Sequence, residues 1–154
     1  MEWIEWLVLV HVLSAIIGIG PTFAFHIILR KNQSVSELKN SIKTASKLEL
    51  FPKIGGTLAV LSGLALFFVE DYGSFTQLWL IGSLILYIVI QIIVIGFVSP
   101  LIMKLEKWVD DPANHNLPVL PSPQASIQGT ALNLLSLASV LGILLFVLMI
   151  MKPS

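Results

Sequence analysis

Chemistry in this sequence rests on histidine. There is no cysteine, which excludes disulfide frameworks, Cys-ligated zinc, iron–sulfur clusters and thiol catalysis. His11 stands in an apolar run, and an ionisable side chain below a membrane interface is costly enough that it usually faces a bundle interior. Three readings compete for it: a neutral imidazole hydrogen-bonded across helices to Tyr87 or Ser83, an axial ligand of haem b, or one ligand of a copper site completed by Met149 or Met151. Thioether and imidazole suit copper, and imidazole suits haem iron. His26 follows too far along the same run to help, roughly 22 Å at 1.5 Å per helical residue, so the two cannot clamp one iron. A single haem is then five-coordinate on His11, takes Met149 as its second ligand, or lies between two copies of the chain. His26, beside Arg30 and Lys31, reads as an interfacial residue, and His115, among prolines, as a solvated one.

Enzyme chemistry finds less support. Apart from Glu5 at one edge, the apolar runs hold no Asp or Glu, so they offer no carboxylate pair, proton relay or two-metal site. Phosphate-loop, dinucleotide and zinc-protease motifs are absent. Ser14 or Ser139 with His11 would lack the acidic member of a nucleophilic triad.

The elements that position these residues follow from composition. Of 154 residues, 56% are hydrophobic and 12% charged, about half the charged share a soluble domain carries, and the formal net charge is zero. The zero balance also excludes nucleic-acid binding, which needs a basic face. Four runs approach the roughly 20 helical residues that cross a hydrocarbon core: about 4–29, 54–69, 78–103 and 127–151, the second gaining a turn from 50–53 with Lys53 snorkelling to the interface. The expected fold is therefore all-α, a single polytopic domain over 1–154 with four transmembrane helices in an antiparallel bundle. The first run lacks the basic flank and cleavage site of a signal peptide and is read as a retained span.

Six of the nine basic residues, Arg30, Lys31, Lys39, Lys43, Lys47 and Lys53, fall between the first two spans, and Lys104 and Lys107 follow the third. Glu2, Glu5, Glu70 and Asp71 mark the other side. The positive-inside rule then places both termini outside a bacterial plasma membrane and both longer loops in the cytoplasm. Trp3, Trp6, Tyr72, Trp79 and Trp108 are read as interfacial belts. Ser34 and Glu37 have capping-box spacing, and Val35, Leu38, Ile42, Ala45 and Leu48 recur at helical steps, so an amphipathic helix is expected over about 35–51 at the inner leaflet. The Pro-rich stretch 110–124 reads as an extended connector.

Lipid provides no hydrophobic drive for helix association, so small and weakly polar residues mark the packed faces. These are His11, Ser14, Ala15, Gly18 and Thr22 on the first span; Gly55, Ala59 and Gly63 on the second; Trp79, Ser83, Tyr87 and Gln91 on the third; Gly129, Asn133, Ser136, Ser139 and Gly142 on the fourth. The second seam suits a neighbour within the chain, with homodimerisation as its other use. His11 lies roughly 7–8 Å inside the interface, counting from Trp6 at 1.5 Å per residue, and Ser83, Tyr87 and Met149 reach comparable depth.

The order His11…Gly18-Ile19-Gly20, then Pro52…Gly55…Gly63, then Trp79, Pro100 and the terminal Met151-Lys152-Pro153 resembles a group of small bacterial four-helix membrane proteins. They comprise an uncharacterised integral-membrane family, the copper-resistance D domain and the J-type protoporphyrinogen oxidase. The resemblance implies that His11 sits where the oxidases have their haem-associated histidine. It departs from them in the third span, where no lysine follows Trp79 and Gln91-Ile92-Ile93-Val94 stands in place of a later histidine. That departure argues against oxidase activity and makes the uncharacterised family the better match.

Overall fold

The structure, a computed structural model, describes residues 2–71 and 73–153, and these are helical without strands. Tyr72 of the expected aromatic belt lies outside the described residues. Four helical rods are long and apolar enough to cross a membrane. The first is α1 (Trp3–Ile28), opened by Glu2, whose N–H donates to Glu5 Oε2 at 3.1 Å, and unbroken at Pro21. The second joins α2 (Val35–Leu48) to α3 (Leu50–Val69) through Glu49, which keeps right-handed helical angles. The third runs as α4 (Leu78–Gln91), a π-helical segment (Ile92–Val98) and α5 (Ser99–Val109). The fourth is α6 (Ser122–Met151).

The π segment has a covalent cause. Pro100 has no N–H for the Gly96 carbonyl and its ring crowds that turn. The backbone upstream widens, and the Ser99 N–H bonds to the Val94 carbonyl five residues back. The rod then continues to Val109, beyond the expected end at 103, because Leu105 and Val109 have a partner there.

That partner is α2. The Ser34/Glu37 capping box forms as expected, and Val35, Leu38, Ile42 and Ala45 are all buried. The helix ends at Leu48, however, and its apolar stripe is covered by α5 rather than by lipid head groups. The connector is less extended than its prolines suggest: Pro112–Asn114 is a short 3-10 turn, the Leu117 carbonyl accepts from the Val35 N–H, and α6 begins at Ser122. His115 is half-buried, 3.5 Å from the Lys39 ammonium, not fully solvated.

In the bundle α1 packs on α3 and α4 on α6, and the two pairs meet along α1 and α6. The α1–α3 contact is close because glycine removes the side chains. A Cβ on Gly55 would stand 2.5 Å from the Gly18 backbone nitrogen, so the seam serves a neighbour within the chain. By contrast α3 and α4, consecutive in the chain, are not packed along their lengths, and space is left between them. Both chain termini lie at one end of the bundle, called here the termini end; the other is the α2 end.

The fourth span corrects the expected face. Gln128, Ala131, Leu135, Ala138, Ser139, Gly142 and Leu145 are buried, whereas Asn133 and Ser136 are exposed. This helix is apolar around its whole circumference, so weak polarity did not mark its inner side. The Ser136 hydroxyl bonds the Leu132 carbonyl at 3.0 Å and meets His26 Nε2 at 2.9 Å, which gives His26 a protein partner rather than only an interfacial setting. Trp3 and Trp6 are exposed, but Trp79 is only 7% exposed and faces inward rather than forming a belt.

Candidate functional site

At the termini end the four rods enclose a chamber of 430 Å³, within the range of small-molecule sites. Its walls are aliphatic and aromatic, with His11, Ser83, Tyr87, Trp79 and Lys152 as the polar members. Val12, Ile16, Leu64 and Ile150 line it and are also exposed on the protein surface, so it opens sideways towards lipid.

Helical phase brings His11 into this wall, one turn before the Ser14–Gly18 contact with α3. The imidazole lies against Gly63, where a Cβ would come within 2.9 Å of its Cε1, so only glycine leaves it room. Nδ1 is 2.8 Å from the Ala59 carbonyl and 3.3 Å from Ser62 Oγ. A carbonyl only accepts, so Nδ1 carries the proton. The Ser62 hydroxyl donates to the Leu58 carbonyl at 2.6 Å, leaving its oxygen free to accept a share of the same N–H. In the neutral ring Nε2 then holds a lone pair, and among the described residues it has no protein partner. The expected partners are corrected by this geometry: His11 is held by α3, not by Tyr87 or Ser83 on α4. Ser83 instead closes on its own helix, donating to the Trp79 carbonyl at 2.5 Å.

Of the other candidates, Met149 and Tyr87 line the same chamber as His11, from α6 and α4 respectively. Met151 does not, being 74% exposed, so an imidazole–thioether pair has Met149 as its one source. Lys152 lies 5.3 Å above the Trp79 ring at the chamber's termini end. The described residues contain no group of three His, Asp or Glu side chains that would hold a metal by themselves. Sequence reasoning missed Ala59 and Ser62 as the holders of His11. A backbone carbonyl has no sequence signal, although Gly63 in the small-residue seam was the mark of the space that the ring occupies.

Residues 5–153 match the model of a family described as Predicted integral membrane protein (DUF2269). The chain belongs to that family. Membership agrees with the four apolar rods, and the family has no assigned function. No curated protein and no solved structure matches the chain.

Proposed function

We propose that this DUF2269 member is a ligand-binding protein of the bacterial plasma membrane that holds haem b through His11 Nε2, with both termini outside and the α2 end in the cytoplasm. The observation that carries the reading is the bond from Nδ1–H to the Ala59 carbonyl at 2.8 Å, the orienting contact that metal-ligating histidines use. The surroundings fit the group. Apolar walls suit a macrocycle, the glycine at 63 makes room for the His11 ring, Met149 is available on another wall, and Lys152 brings a cation to the chamber's end for carboxylate side groups. Bound haem would bring one-electron chemistry at its iron. The chain's own residues orient the ligand, exclude water and, through the Tyr87 hydroxyl, offer a hydrogen bond. Copper on His11 and Met149 is the smaller version of the same proposal.

Protein purified from haem-replete cells is expected to show a Soret band that His11→Ala abolishes and His26→Ala leaves in place; colourless wild-type protein overturns the haem reading. Stoichiometric copper after loading, lost in His11→Ala, would favour copper instead. A second reading has its own support, since the His11 bond to Ala59 already ties α1 to α3. A purely structural histidine predicts that His11→Ala lowers the melting temperature with neither haem nor copper present in the wild type. A topology reporter after Asn40 is expected to read cytoplasmic, and an external signal reverses the orientation.

A further inference from the structure

A second, smaller cavity of 110 Å³ lies towards the α2 end, in the space between α3 and the rod of α4 and α5. Its lining is unlike that of the chamber. Thr22, Tyr87, Gln91 and Ser99 all face it, from α1 and the third rod. Among the described residues none of these four side chains makes a hydrogen bond, and their polar atoms are open to the cavity rather than sealed in the packing. Within an apolar slab an unpaired polar group is penalised, so polar atoms left open to a cavity there call for a partner inside it. The same protein shows how the penalty is ordinarily avoided. Ser62, Ser139 and Thr57 each return their hydroxyl to the carbonyl four residues back, at 2.6, 3.0 and 2.7 Å. Thr22 does not, although it is only 7% exposed.

Thr22, Tyr87 and Gln91 bring two hydroxyls and a carboxamide to the lining, both donors and acceptors, and Ser99 stands further along the third rod. The charges at the mouth are already matched, because Glu49 and Lys53 pair with each other at 3.5 Å. Such a lining selects a neutral head. Each water needs about 10–15 Å³ of such space, so the volume admits a small head group but not a whole lipophile. Ile95 lines the cavity and is 63% exposed, which leaves an apolar tail free to lie along the lipid-facing side.

We propose that this cavity is a second binding site, for the head of a neutral lipophilic molecule bearing carbonyl or hydroxyl oxygens, drawn from the bilayer between α3 and α4. The ligand completes hydrogen bonds that Thr22, Gln91 and the neighbouring Tyr87 leave open. Tyr87 lines this site and the His11 chamber alike, so the two are neighbours on one side of the bundle.

The test uses the full chain in lipid nanodiscs with two probes of this chemistry, a decyl-substituted benzoquinone and dioctanoylglycerol. Their separate titrations distinguish a quinone from a glycerolipid source. At least one is expected to bind saturably and raise the melting temperature. The near-isosteric variants Thr22→Val and Gln91→Leu are each expected to weaken that probe at least tenfold. Without probe they are expected to melt at or above the wild-type temperature, since each removes an unpaired polar group. A structural role predicts the opposite, variants that melt lower while binding as wild type does, and that result overturns the proposal. Failure of both probes to bind saturably overturns it too and leaves a pocket of water. Neither probe nor readout involves haem, so a colourless protein would defeat the His11 reading without touching this one.

Discussion

The α2 end and the termini end draw on the same aliphatic side chains and use them differently. At the α2 end Val35, Leu38, Ile42, Leu105 and Val109 are at most 1% exposed, and they interlock between α2 and α5. At the termini end comparable residues stand around a 430 Å³ void. The charges on α2 and α5 place the filled end beyond the apolar slab, where water drives apolar surfaces together. Within the slab lipid tails solvate a helix as well as another helix does, so a hollow is tolerated if glycine contacts and hydrogen bonds hold the rods. The lesson is a division of labour: the fold is fastened at one end and kept open at the other.

Substitutions can break that contrast or sharpen it. Leu38→Ala, at the filled end, is expected to cost about 2–5 kcal/mol, read as a lowered melting temperature in detergent; a negligible loss would show that α2 fastens nothing. Gly55→Ala tests the glycine contact that replaces a core within the slab. With a Cβ set 2.5 Å from the Gly18 nitrogen, α1 and α3 must separate, at about 1–3 kcal/mol. Gln128→Leu removes the amide that serves the Leu29 and Arg30 carbonyls, and chemical denaturation is expected to register about 1–3 kcal/mol. Val60→Ala, on the chamber wall, already faces space and is expected to cost under about 1 kcal/mol. A larger loss there would mean that the void is filled by something that stabilises the protein. Smallest is Lys39→Ala, whose 3.6 Å pair with Asp110 is half open to solvent; about 0.2–1 kcal/mol, declining with added salt, is the expected change.

Much of the fold was legible because membranes constrain it tightly. The four spans, the Leu50–Lys53 turn, the Ser34 cap and the buried stripe of α2 all follow from periodicity and capping chemistry. What escaped was phase and register. α6 is apolar all round, so Asn133 and Ser136 pointed the wrong way, while Ala131, Leu135 and Ala138 carry the contact. The π segment reads as ordinary helix in Ile92–Val98, and only Pro100 hinted at it. For the candidate site, helical rise puts His11, Tyr87 and Met149 at similar depth, and the structure has all three lining one chamber. The holders of His11 on α3 were not legible, because packing chose a backbone carbonyl over the side chains that sequence can display. The polar lining of the smaller cavity was unreadable for a related reason. Whether a hydroxyl bonds its own helix depends on a rotamer, and sequence fixes only the residue.

The amides at the end of α1 carry a consequence for how the chain is made. Gln33 closes the Ile28 and Arg30 carbonyls from just downstream, but the Leu29 carbonyl waits for Gln128, 99 residues later. During synthesis the first span therefore enters the bilayer with an open terminus, and it is completed only when the last span arrives. A copy that lacks α6 leaves the Leu29 carbonyl to water, so the last span finishes the end of the first.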